Sequence, residues 1–103
     1  MSNIYTPSEV RLKLTPVFMQ YGVKRAVLFG SHAKGTADEK SDIDLLVDSG
    51  LRGLRFVSLC EDVKEVLGCE VDLFDVSHIE KNSRIDKEIE TTGVVIHEKW
   101  YNY

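Results

Sequence analysis

What this chain of 103 residues has little of narrows its class before any motif is read. Only two cysteines are present, Cys60 and Cys69, without C-x-x-C spacing or a nearby histidine pair. That points away from zinc and from a disulfide, toward two reduced thiols used as small hydrophobes. No apolar run is long enough to cross a bilayer and no signal peptide is visible, so the expected setting is cytoplasmic. Positive charge is scarce as well. With 13 Lys+Arg against 17 Asp+Glu the formal charge is −4, and five acidic residues fall between Asp38 and Asp48. A domain that grips a long nucleic acid by itself carries a basic stripe, and none appears. The three histidines, His32, His78 and His97, are too scattered for a metal set, and none forms a nucleophile motif with a serine or cysteine. From length the expectation is a single domain, 1–103, with one core and no second lobe to hold an acceptor.

What is present is concentrated in one stretch. An apolar strand, Lys24–Phe29, runs into Gly30-Ser31, and ten residues later comes Asp42-Ile43-Asp44, opening a second apolar run. Residues i and i+2 of a strand project from the same face, which sets the two carboxylates side by side. Adjacent carboxylates repel unless a hard cation lies between them, and Mg²⁺ is the usual one. Gly30-Ser31 supplies the other half of a phosphate site, a glycine that lets backbone approach closely and a small hydroxyl beside backbone N–H groups. Asp72 alternates with Val71 and Leu73 on a later strand-like run, so it faces away from the residues that pack inward. Phosphate cradle and paired metal ligands together equip a site for phosphoryl or nucleotidyl transfer.

The remaining elements follow from period and punctuation. Thr6-Pro7-Ser8-Glu9 reads as a capped helix start, with Val10, Leu14, Val17, Phe18 and Tyr21 recurring at helical spacing up to Gly22. Pro16 is expected to kink or divide that helix, with Thr15 capping the second piece. A short helical turn covers His32–Lys34. The second strand is expected over Asp42–Asp48, an amphipathic helix over Leu54–Leu67, and a third strand over Glu70–Val76 with Glu70 and Asp75 solvated. A weaker helix is expected over about His78–Thr91, with Ile85 and Ile89 as its buried pair, then a closing strand Val94–His97. Ser77 and Ser83 carry no nucleophile motif. Alternating strands and helices imply an α/β or α+β fold, with helices packed on one face of the sheet. Trp100-Tyr101-Asn102-Tyr103 is an aromatic tail that suits a docking patch or a packed sheet edge.

The motif resembles the G-S-x10-D-x-D signature of the polymerase-beta-like nucleotidyltransferase superfamily, and within it the minimal nucleotidyltransferase (MNT) group. The resemblance is carried by Val27–Gly35 (VLFGSHAKG), Ser41–Asp48 (SDIDLLVD), Val71-Asp72-Leu73, Arg84–Ile89 and Gly93–Ile96, nearly the whole chain. It implies a small mixed sheet and catalytic, metal-binding carboxylates at Asp42, Asp44 and Asp72. Two Mg²⁺ ions and ATP as the donor go with them, and Gly30, Ser31 and Lys34 are expected on the phosphates. Lys34 stands where many relatives carry arginine, which keeps a charge and gives up bidentate geometry. The MNT group further implies an antitoxin that transfers AMP to a tyrosine of a partner HEPN-family ribonuclease toxin. The alternatives are a non-catalytic antitoxin acting by occlusion and a small-molecule nucleotidyltransferase. His32, next to the turn, is a further candidate for contact with nucleotide or acceptor.

Overall fold

A computed structural model describes residues 4–99 of the chain. The aromatic tail at 100–103 lies outside the described residues. The elements are α1 (Pro7–Tyr21), β1 (Arg25–Phe29), α2 (Ser31–Lys34), β2 (Ile43–Asp48), α3 (Leu54–Leu67), β3 (Val71–Asp75), a 3-10 turn (Val76–His78), α4 (Arg84–Thr92) and β4 (Val94–Glu98). The four strands form one mixed sheet in the order β3-β2-β1-β4. β1 pairs antiparallel with both β2 and β4, while β2 and β3 run parallel, joined by the crossover through α3.

Two-residue alternation divides the sheet into two unlike faces. Ala26 and Leu28 of β1, Ile43, Leu45 and Val47 of β2, and Val71 of β3 turn toward α1 and α3. There they meet Val10, Leu14, Phe18, Leu59, Val63 and Leu67 in the main core. The opposite face carries Val27, Phe29, Asp44, Leu46, Asp72 and Phe74. α4 departs from the expectation of helices on one face. It lies over β1 on this second side, which is why Val27 and Phe29 are buried although they point away from the main core.

Local chemistry accounts for most boundaries. The Thr6 hydroxyl accepts from the Glu9 N–H while the Glu9 carboxylate accepts from the Thr6 N–H, so both halves of the capping box are made. Pro16 does not divide α1. The carbonyl it leaves unserved is that of Leu12, a residue 79 % exposed on the outer side of the helix, and Thr15 caps nothing but donates to the Arg11 carbonyl. The expected α4 starts late, at Arg84, where Ser83 accepts from the Asp86 N–H as N-cap. Ile85 and Ile89 are half-buried rather than buried. The segment before it is taken by the 3-10 turn, anchored on Asp75. Asp75 itself is the clearest correction: it is 3 % exposed, not solvated. Among the described residues no helix is long and apolar enough to cross a membrane.

Candidate active site

The site begins where β1 stops. Gly30 takes φ 77 and ψ −153, a region closed to other residues. A Cβ built there would lie 2.6 Å from Oδ2 of Asp44, so the turn also needs a residue with no side chain. The Gly30 carbonyl accepts from the N–H groups of Ala33 and Lys34 and starts α2. Its own N–H, expected to face phosphate, donates instead to Oγ1 of Thr92 at 3.0 Å. Gly30 therefore contributes conformation. The first-turn N–H groups of Ser31 and His32 and the Ser31 hydroxyl have no acceptor among the described residues.

The parallel register of β2 and β3 sets Asp44 directly opposite Asp72 on the face away from the main core. Asp42 stands one residue ahead of β2, exposed like Asp72, while Asp44 is half-buried. Burial first, and then the charges of Asp72, Glu88 and Asp42, push the Asp44 carboxyl up to about 6. The largest influences on it all act in that one direction. Among the described residues, no three His, Cys, Asp or Glu side chains are gathered closely enough to hold a metal ion as they stand. The carboxylates share one electrostatic neighbourhood without a closed shell. Lys34 is exposed and makes no ion pair among the described residues.

Three residues that sequence reasoning left weak or missed belong to this neighbourhood. Glu88 and Thr92 come from α4, four residues apart and so on one side of the helix. Oε1 of Glu88 would lie 3.4 Å from a Cβ on Gly30. Nothing local marks either residue, since a polar helix position reads as a solvated one. His32 follows the turn directly and is 2 % exposed, with both ring nitrogens unpartnered. Buried polar atoms left so are uncommon and cost about 1–3 kcal/mol each until water or a ligand completes them. The rings of Phe29 and Phe74, centroids 6.0 Å apart, floor the same face. A groove of about 560 Å³ between α1 and β4, lined by Arg11, Met19, Val95 and Lys99 among others, contains none of these residues.

Residues 12–101 match the profile of the family described as polymerase beta, nucleotidyltransferase. The chain belongs to that family. It is 42% identical over 74 residues to a Methanocaldococcus jannaschii protein that carries the provisional name protein adenylyltransferase, an alignment covering 70% of this chain and 80% of the relative. In fold it is similar to a chain of a crystallised toxin–antitoxin complex with AMP-PNP, with TM-score 0.73, 23% identity, and coverage of 85% of this chain and 73% of that one. It is also similar to a chain of the complex between a tri-AMPylated Shewanella oneidensis HEPN toxin and its MNT antitoxin, with TM-score 0.68, 18% identity, and coverage of 90% and 73%. At those identities the two structures speak for the nucleotidyltransferase fold.

Proposed function

We propose that this nucleotidyltransferase moves AMP from ATP onto a tyrosine hydroxyl of a HEPN-type toxin, silencing its partner. The observation that carries the reading is the meeting of carboxylates beside the Gly30 turn: Asp44 stands opposite Asp72 across β2 and β3, and the Glu88 carboxylate reaches the same turn from α4. All-oxygen anionic donors of this kind fit Mg²⁺, which keeps several waters and binds through one or two carboxylates plus substrate phosphates. When bound, a pair of Mg²⁺ ions supplies charge neutralisation for an in-line displacement.

The chain's own residues do the rest. Asp42 and Asp44 would hold the ion that accompanies the triphosphate and Asp72 would join them as a ligand, while the Asp72 carboxylate also takes the hydroxyl proton. Ser31 and His32 donate backbone N–H groups to the distal phosphates, Ser31 adds its hydroxyl, and Lys34 adds a point charge. Gly30 keeps the turn clear of side chain so that Asp44 and the phosphates share the space. The acceptor O–H bond breaks, a bond forms from that oxygen to the α-phosphorus, and the bond to the bridging oxygen breaks to release pyrophosphate.

The adenylyltransferase name of the Methanocaldococcus jannaschii relative supports the donor, and the complexes with AMP-PNP and with an AMPylated HEPN toxin support the partner. A cytoplasmic setting, where ATP is at hand and thiols stay reduced, accords with two free cysteines. Intact-mass spectrometry of the product of the neighbouring open reading frame, after incubation with this chain, ATP and Mg²⁺, tests the proposal. A gain of one or more AMP units, lost with Asp42→Ala/Asp44→Ala, is the expected result. Unchanged mass, with toxicity still blocked by that double variant, would establish neutralisation by occlusion instead.

A further inference from the structure

We propose that Glu88 of α4, a residue outside the G-S-x10-D-x-D pattern, is a positioning residue that completes the negative shell beside Asp44 and sets the site's affinity for its divalent cation. The inference rests on the reading of Asp42, Asp44 and Asp72 as the metal-holding carboxylates.

Placement comes first. Oδ2 of Asp44 and Oε1 of Glu88 crowd the same point above Gly30, at 2.6 Å and 3.4 Å from where a Cβ would be. Glu88 thus reaches the floor of the phosphate turn from the helix above it. Among the described residues the half-buried Glu88 carboxylate has no hydrogen-bond or ion-pair partner. A carboxylate turned toward other carboxylates in partial burial is unfavourable unless a cation answers it.

The placement is built rather than incidental. Thr92 Oγ1 accepts from the Gly30 N–H at 3.0 Å and donates to the Glu88 carbonyl at 2.9 Å. That relay ties the last turn of α4 to the glycine and fixes the helix along the turn. α4 buries no residue fully, so its packing alone would hold it weakly. The other acidic residues of the helix are otherwise engaged or turned away. The Asp86 carboxylate accepts from the Asn82 N–H at 2.8 Å, and Glu90 is exposed.

A carboxylate in this position acts by accepting hydrogen bonds from waters on the ion or by adding charge to its ligands. Removing such a group costs roughly 10–100-fold in metal affinity. The test is a titration of the full chain with Mn²⁺, followed by electron paramagnetic resonance of the free ion, with and without AMP-PNP. Glu88→Gln is expected to weaken Mn²⁺ binding by about tenfold or more, while Glu90→Gln, the same charge change on the exposed side of the same helix, leaves it unaltered. Glu88→Asp, which keeps the charge on a shorter arm, is expected to recover part of the affinity and guards against a folding defect in the glutamine variant. The proposal is overturned if Glu88→Gln and Glu88→Asp bind Mn²⁺ as the parent does while Asp44→Asn abolishes binding. Equal losses in Glu88→Gln and Glu90→Gln also overturn it, because the effect would then be one of net charge. If the parent chain and Asp44→Asn bind alike, the carboxylate site itself fails, and the role of Glu88 goes with it.

Discussion

Asp44 and Asp75 stand on the same pair of parallel strands, one near the start of β2 and the other at the end of β3, and they meet opposite fates. Burial works to raise the Asp75 carboxyl, yet the N–H and hydroxyl groups of Ser49 donate to one of its oxygens and those of Ser77 to the other, and together they hold it at about 2. Asp44 has burial and three like charges around it, and its carboxyl is pushed up to about 6. The first is a finished joint between the strand ends. The second is an electrostatic deficit that the fold maintains. One residue type on one sheet is therefore settled where donors converge on it and left in deficit where other acceptors do. The deficit is what a cation would relieve, and sites of this sort commonly trade stability for activity.

The comparison can be broken hardest at Gly30. Gly30→Ala drives a methyl against Oδ2 of Asp44 and forces alanine to φ 77. The expected outcome is at least about 100-fold slower AMP transfer, from displacement of the carboxylate, with about 2–3 kcal/mol lost in thermal unfolding. The Asp75 end is next. Asp75→Asn removes the charge behind four hydrogen bonds and should cost about 2–3 kcal/mol at neutral pH, while AMP transfer at low temperature survives. Because the folded carboxyl is held at about 2, its stabilisation is present above the ordinary range near 3.8 and is lost as pH falls toward 2. Acid titration of unfolding should show that slope in the parent chain and not in the variant.

The smallest effect sharpens the contrast by reversing its sign. With Asp44 held near 6, the folded state binds its proton more tightly than the unfolded chain does, so stability is greatest below the ordinary carboxylate value and falls as pH rises from about 4 through about 6. Asp44→Asn in the presence of a chelator should therefore stabilise the protein at pH 7.5. The gain is about 1 kcal/mol, the full linkage value discounted for the solvent that reaches a half-buried carboxylate. The gain should vanish below pH 4. A destabilised variant at neutral pH would mean that Asp44 is satisfied like Asp75 and that the two ends of the sheet do not differ.

How far the sequence could be read depended on the range of each interaction. α3 was legible to the residue, because Gly53 and Gly68 bracket an amphipathic period. The capping box at Thr6 and Glu9 and the turn at Gly30 were legible for the same reason, since each is made among near neighbours. Alternation alone set Asp42 and Asp44 on one side of their strand and turned Asp72 away from its packed neighbours, whereas the meeting of Asp44 with Asp72 came only with the β2–β3 pairing. Asp75 was misread because its donors come from the end of another strand, 26 residues away, and from the turn after its own. Pro16 was misread because whether a proline divides a helix depends on which carbonyl it abandons and whether water reaches that carbonyl.

The chain by itself determined the order of its elements, the glycine turn, and the carboxylates of Asp44 and Asp72 that face away from the packed side of the sheet. Those follow from periodicity, backbone freedom and side-chain chemistry, all properties of residues within a few positions of one another. Tertiary structure alone decided that α4 crosses to the second face and that Thr92 takes the Gly30 N–H. It alone brought Glu88 over the turn, and it separated a satisfied carboxylate from an unsatisfied one. Electrostatic environment is a sum over neighbours in space, and residues 44 and 88 become neighbours only when the sheet has formed and the helix has been laid across it.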